Sequence, residues 1–282
     1  MEFVELLSGS RMKSASRLWL FLMRRYFRVS IFGVENIPRQ GRGIIMPNHS
    51  GFAGADAVLL TFLIKRETKR RARILAHRAF FDFSKTLKDV SESFGLKKAS
   101  VAAGVEILNR NQLMIIFPEG ESGNFKGYYK RYHLQKFHTG YLRMALQAQA
   151  PIIPCVILGA EESHLSLGHL NLSKYVKGLR IPVPLNFLPL PAKWEIYFLP
   201  PVYPQGVENV DTLLEDKLKL EGKAREMRRS LQRAIRVRLK LRPYVFFKEA
   251  ATVKQVFKAV VEGVSHEFKK RAQKLRELTP EK

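Results

Sequence analysis

Short apolar runs alternate with longer amphipathic ones along this chain. Val29–Val34, Gly43–Met46, Arg73–Ala76, Leu113–Phe117, Pro151–Leu158 and Trp194–Leu199 have the length and residue types of strands. Two of them, LMIIF at 113–117 and PIIPCVIL at 151–158, are almost wholly apolar, the pattern of strands buried on both faces. Between them the apolar period lengthens to that of a helix at 10–28, 56–64, 79–92, 99–109 and 133–148. Residues 207–241 read as one or two basic helices, and 250–278 as a last amphipathic one. Strands alternating with helices predict an α/β fold with a mixed, largely parallel central sheet flanked by helices. Four prolines between 182 and 191 exclude a regular helix or a central strand there and leave an ordered wall or a lid.

Charge changes the picture next. Lys and Arg number 49 against 25 Asp and Glu, a formal charge of +24, so the partner or surface is polyanionic: nucleic acid or an anionic membrane leaflet. The apolar run Leu18–Met23 is too short to span a bilayer, which needs about 20 residues. No cleavage site of a signal peptide follows it. Residues 10–28 set Trp19, Phe21, Leu22 and Tyr26 among Arg17, Arg24, Arg25 and Arg28, which suits a helix lying in a headgroup layer and equally a helix packed on a core. One cysteine, Cys155, can form no internal disulfide.

Candidate chemistry lies at two strand ends. NHSGFAGAD, residues 48–56, connects the second strand to a helix and holds His49 and Asp56 among small residues. A carboxylate on one ring nitrogen frees the other as a base able to activate a hydroxyl. FPEGESGNFK, residues 117–126, follows a buried strand and presents Glu119, Gly120, Ser122 and Gly123, where backbone N–H groups can approach a ligand closely. Each motif is weak alone. Strand ends are where α/β sheets bind ligands, and both motifs sit at one. No metal site is expected: the seven histidines show no ligand spacing, and His133 and His138 read as helix-surface residues. Cys155 lies in an apolar strand, a setting that raises a thiol pKa and disfavours it as a nucleophile.

Taken together, GVENIPRQGRGIIMPNHSGFAGAD, IIFPEGESGNFK, APIIPCVILGAEES and LPLPAKWEIYFLPPVY resemble, in order, the blocks of the bacterial glycerophospholipid acyltransferase family, the group containing lysophosphatidic acid acyltransferases. The resemblance runs from about Gly33 to Tyr203. It implies transfer of a fatty acyl group from a thioester, on coenzyme A or acyl carrier protein, to a hydroxyl of a lipid acceptor. His49 matches the base and Asp56 the aspartate that holds it, with no acyl-enzyme and no cofactor. Glu119 and Gly120, with Ser122 and Lys126 in the same stretch, fall on the acceptor-binding block, and Pro154 on the block shaping the acyl pocket.

Two departures accompany it. Six residues separate His49 from Asp56 where the commonest spacing has four, as in a divergent bacterial subgroup, and Gly54 occupies the commoner carboxylate position. The block that usually ends in a phosphate-binding arginine offers Lys97 and Lys98 instead, point charges without the bidentate fork. Lysophosphatidic acid, another lysophospholipid, an ornithine-type lipid and a neutral alcohol therefore all stay open as acceptor.

The resulting division is a membrane-facing amphipathic helical element over 1–28, a catalytic domain over 29–245, and a basic amphipathic helix over 246–282. Expected partners are the lipid acceptor, the acyl thioester, an anionic membrane surface and acyl carrier protein as a candidate donor. The expected location is peripheral, on the cytoplasmic face of the inner membrane. A nucleic-acid binder without catalysis is the competing reading of KLKLEGKAREMRRSLQRAIRVRLKLR at 217–242. No nucleic-acid module accompanies it, and Leu218, Leu220, Leu231, Ile235 and Leu239 favour a helix packed on protein or lipid.

Overall fold

A computed structural model describes residues 18, 20–49, 54–76, 81, 95–124, 126–171, 180–186, 188–204, 210–247 and 258. Apart from residues 81 and 258, the expected helices at 79–92 and 250–278 lie outside the described residues, as do residues 10–17 and 19 of the N-terminal helix. Contacts divide the chain into one unit of Ser30–Leu190 with Trp194–Pro243, and a second of Met1–Val29, Pro191–Lys193 and Tyr244–Lys282. In the second unit residues 20–26 are helical. Beyond that helix Arg28 donates to the carbonyls of Pro191 (2.7 Å) and Phe246 and lies 4.4 Å above the Phe247 ring. Among the described residues no helix is long and apolar enough to cross a membrane.

The larger unit is built on a seven-stranded sheet. Its strands are β1 (Ser30–Phe32), β2 (Gly43–Pro47), β3 (Ala72–Ala76), β4 (Leu96–Lys98), β5 (Leu113–Ile115), β6 (Ile152–Leu158) and β9 (Glu195–Phe198), in the order β1-β9-β6-β2-β5-β3-β4. All neighbours are parallel except β6 and β9. A separate hairpin pairs β7 (Ser166–Asn171) with β8 (Arg180–Pro184). The mixed, largely parallel sheet predicted from the run pattern is therefore present.

Helices cover both faces. Ile44, Met46, Met114, Ile152, Val156 and Leu158 enter one core with α2 (Val101–Asn109), α4 (Gly140–Gln147), α6 (Val210–Glu215) and α7 (Lys217–Leu241). Alternate strand residues such as Ile45, Ile153, Cys155 and Ile157 are equally buried and point the other way. There α1 (Ala55–Thr68), packed along β3, buries Leu59, Leu60, Leu63 and Ile64. Short helices α3 (Glu121–Asn124) and α5 (Ala160–Ser163) follow β5 and β6.

Several elements differ from expectation, each for a physical reason. The helix expected over 133–148 is confined to α4, and residues 131–138 alternate buried with exposed instead. Their backbone donors are met from elsewhere: Tyr132 by Glu161, Leu134 by Gln232, Gln135 by Glu119 and His138 by the Pro118 carbonyl, at 2.7–2.9 Å. A chain whose N–H groups are already satisfied has no need of the helical ladder. His133 and His138 are thus exposed loop residues, not helix-surface ones. The polar triplet LKK is strand β4 because it occupies the sheet edge, where Lys97 and Lys98 face solvent. Asp216 divides the basic helical stretch, its carboxylate accepting from the Lys219 N–H at 2.9 Å as the N-cap of α7. Of the apolar positions assigned there to packing, Leu218 is exposed. The proline-rich segment lies outside the main sheet: Pro182 and Pro184 sit in β8, which pairs only with β7.

Candidate active site

Five main strands run parallel, so β2, β5, β3, β4 and β6 all end on one edge of the sheet. At the end of β2, Asn48 is wholly buried and bonds twice to β6: its amide donates to the Ile157 carbonyl (3.0 Å) and its oxygen accepts from the Ile157 N–H (2.7 Å). That pair fixes where the connection leaves the sheet. His49 follows it directly. Gly54, at φ 72°, turns the chain into α1, a left-handed conformation that suits glycine, and places Asp56 in the first helical turn.

His49 and Asp56 meet there. Nδ1 of His49 lies 2.8 Å from Oδ2 of Asp56, while Oδ1 accepts the Ala57 N–H, also at 2.8 Å. A carboxylate held by a helix N-terminus has only acceptors to offer, so Nδ1 donates and Nε2 keeps its lone pair. The ring stacks on Phe117, with centroids 4.1 Å apart and planes 28° from parallel. The His49 side chain retains 13% exposure against 0% for Asp56, so the pair is open only from the imidazole side.

Glu119 holds the same histidine by its backbone. Oε1 accepts the His49 N–H at 3.0 Å and Oε2 the Gln135 N–H at 2.7 Å, and Lys126 Nζ lies 3.8 Å from Oε2. The residue is fully buried. Gly123 of α3 lies against both: a Cβ there would come within 2.7 Å of the Glu119 Cβ and 2.9 Å of the His49 Cβ. Lys126, like Glu119 expected at the acceptor-binding block, is held in the same buried cluster. Lys126 is 4% exposed and pairs with Glu161 at 2.9 Å, so both groups face the protein.

Behind this layer a second set of buried charges ties the edge together. Glu161 accepts the Tyr132 N–H at 2.7 Å. Burial pushes its carboxyl up to about 7, against the opposing pull of Lys126. Glu162 accepts from the Tyr132 hydroxyl and pairs with Arg242 of the α7 terminus at 2.9 Å, while the Gly159 N–H donates to the Tyr132 oxygen at 2.8 Å. Burial lowers the His164 pKa, against the raising effect of Asp56.

The remaining sequence-derived candidates are spread along the same edge. Gly120 is half-buried at φ 56°, and Ser122 is exposed on α3. Lys97 and Lys98 are exposed on β4, three strands from β2, a separation of about 14 Å at the usual strand spacing. Pro154 lies buried within β6, beside Met46 of β2, and lends its carbonyl to the Leu199 N–H. Cys155 is buried and its thiol is pushed upward by that burial. Among the described residues no group of three or more metal-ligating side chains occurs. Sequence reasoning missed Asn48, Phe117, Glu161 and Glu162. The available signal was two adjacent acids directly after an apolar strand in a chain of +24 charge.

Residues 28–158 match the Acyltransferase family. Uncharacterized protein Rv0502 of Mycobacterium tuberculosis is 30% identical over 239 residues, covering 80% of this chain and 66% of that protein. Uncharacterized protein ML2427 of Mycobacterium leprae is 29% identical, covering 80% of this chain and 64% of its own length. The aligned part thus spans just under two thirds of these relatives. The structure also aligns with the 1-acyl-sn-glycerophosphate (LPA) acyltransferase PlsC of Thermotoga maritima, with a TM-score of 0.48 and 17% identity over 83% of this chain and 85% of that one.

Proposed function

From the match of residues 28–158 to the Acyltransferase family, we propose that this chain moves an acyl group from a thioester to the hydroxyl of a glycerolipid-like acceptor, with His49 as general base. The observation that carries the reading is the 2.8 Å contact between His49 Nδ1 and the buried Asp56 carboxylate. With Nδ1–H directed at Asp56, Nε2 removes the hydroxyl proton as the alcohol oxygen attacks the thioester carbonyl. Collapse of the tetrahedral adduct breaks the C–S bond, and the proton on Nε2 passes to the departing thiolate. Asp56 steadies the imidazolium while it exists. A positioned base contributes roughly 10²–10⁴-fold, and alignment of both substrates supplies much of the rest.

The acceptor class turns on Lys97 and Lys98. A phosphomonoester headgroup suits two exposed ammonium groups on the strand-end edge, whereas an ornithine-type lipid or a neutral alcohol needs neither. The proposed donor carrier is coenzyme A or acyl carrier protein. An anionic bilayer is the proposed surface of action, held by cations such as those of α7 at about 1 kcal/mol each.

The test is acyl transfer by purified protein from labelled acyl-CoA and acyl carrier protein to a mixture of lipid acceptors, read by mass spectrometry. His49→Ala should fold and lose turnover by at least about 10²-fold. Wild-type turnover by that variant removes His49 as base. Tight nucleic-acid binding with no transfer to any hydroxyl would return the chain to the competing class.

A further inference from the structure

The edge that carries His49 is bordered by an apolar surface that the chemistry does not use. Tyr129, in the turn Tyr128–Lys130, and Leu167, Leu170, Leu185 and Leu188, on and after the β7–β8 hairpin, are all between 57% and 83% exposed. Tyr129 lies beside Leu167, and Leu185 joins the start of the hairpin. A Cβ on Gly127 would come within 2.6 Å of the Tyr129 ring and 3.1 Å of the Leu167 carbonyl oxygen, and the Leu185 N–H bonds to the Leu165 carbonyl across the hairpin at 2.8 Å. Single exposed leucines are ordinary on a protein surface, but a group of this kind marks an interaction site.

Charge identifies the occupant. From Ser122 to Ala160, and again from Ser163 to Trp194, the sequence contains no Asp or Glu. Lys130 lies over the Tyr129 ring at 5.5 Å and Arg131 over the Tyr128 ring at 4.4 Å, placing cations directly beside exposed aromatics. Aromatic and aliphatic side chains framed by Lys and Arg, with carboxylates excluded, match the boundary between acyl chains and anionic headgroups. Topology supplies the orientation. The tyrosine turn follows β5 and the hairpin follows β6, so both leave the sheet on the edge where β2 delivers His49.

We infer that the Tyr128–Arg131 turn and the β7–β8 hairpin together form the surface by which this protein docks on an anionic bilayer, turning the strand-end edge toward the lipid. The inference rests on the lipid-acceptor reading only in preferring a bilayer to other anionic surfaces. Leucine and tyrosine enter the headgroup boundary, Lys130 and Arg131 stay with the phosphates, and an acceptor reaches His49 without crossing water.

Cys155 is the sole cysteine and is buried, so Leu188→Cys adds one accessible thiol for an environment-sensitive fluorophore. With vesicles rich in phosphatidylglycerol the probe should shift to the blue and become shielded from an aqueous quencher. The same label on Arg110→Cys, exposed near the opposite edge, should stay in water. Leu167→Ser with Leu188→Ser should weaken partitioning into those vesicles about tenfold or more, while turnover of a short-chain, water-soluble acceptor stays at the wild-type level. A probe at 188 that remains aqueous on vesicle-bound protein overturns the inference, as does desolvation only by acyl carrier protein. Because insertion is read without turnover, a protein that inserts but transfers no acyl group keeps this surface and loses the proposed function, and the reverse result separates them the other way.

Discussion

Replacing Glu119 by glutamine isolates what this carboxylate does. Its two oxygens accept the His49 N–H at 3.0 Å and the Gln135 N–H at 2.7 Å, with no exposure to solvent. Glutamine keeps one acceptor and turns an NH₂ toward the other N–H, leaving one buried donor unmet at a cost of about 1–3 kcal/mol. The shorter bond to Gln135 is the one retained, so the His49 backbone is released. A shift of that residue by about 1 Å costs roughly 10²-fold in rate. Lys126 keeps Glu161 as a partner, which limits the electrostatic loss. Urea unfolding should therefore show Glu119→Gln less stable by about 1–3 kcal/mol, and steady-state kinetics should show kcat falling with acceptor KM little changed. Glu119→Ala orphans both donors and should cost about twice as much. A Glu119→Gln protein of wild-type stability whose acceptor KM rises while kcat holds would refute the reasoning, because a lost ground-state contact with substrate has that signature.

Asp56→Asn keeps the Ala57 contact but turns an NH₂ toward His49, forcing Nδ1 to accept and moving the proton to Nε2; turnover should drop by roughly 10²–10⁴ with an unchanged far-UV spectrum, and activity within a few-fold of wild type would count against the base assignment. Gly123→Ala places a methyl 2.7 Å from Glu119 Cβ and 2.9 Å from His49 Cβ, so a loss of about 1–3 kcal/mol in thermal unfolding is expected together with reduced turnover. Glu161 has a folded carboxyl raised from 4.5 to about 7. The folded state therefore binds the extra proton, and its contribution is full below 4.5 and lost as pH rises toward 7, by an order of 3 kcal/mol at most. Glu161→Gln should flatten the dependence of melting temperature on pH across that window, and an unaltered slope would show that other groups set it.

The strands that build the site were legible because parallel sheets demand uninterrupted apolar runs, which LMIIF and PIIPCVIL supply without ambiguity. The pairing of His49 with Asp56 was legible as a possibility of spacing, and its geometry follows from Gly54 turning the chain into α1. What pattern could not reveal was the fate of RYHLQKFH. Tyr132, Leu134 and Phe137 are buried between more exposed neighbours, yet among the described residues no strand pairs with this stretch; the donors are met by side chains distant in sequence, Glu119 at 16 residues from Gln135 and Gln232 at 98 from Leu134. Periodicity reports which face is buried and not where the hydrogen bonds go. For the same reason the place of Glu119 after a strand does not reveal that its oxygens accept the His49 and Gln135 N–H groups.

The inward acids share one location. Asp56, Glu119, Glu161, Glu162 and Glu195 are the buried carboxylates among the described residues. The first four follow the ends of β2, β5 and β6, and Glu195 opens β9, which runs antiparallel to β6 and pairs with Leu158 at its end. Each has specific partners: backbone N–H groups for Asp56, Glu119 and Glu161, Arg242 for Glu162, and the Tyr197 hydroxyl for Glu195 at 2.9 Å. Buried carboxylates without such partners would be strongly destabilising, so their retention at this edge fixes the loops that carry His49. It also takes negative charge off a surface whose flanking segments, 122–160 and 163–194, contain none. A single arrangement thereby ties down the loop that carries His49 and, on the proposed bilayer-facing surface, keeps negative charge away. Moving one of these acids outward should weaken both properties together, whereas neutralising an exposed arginine of α7 should weaken only the second.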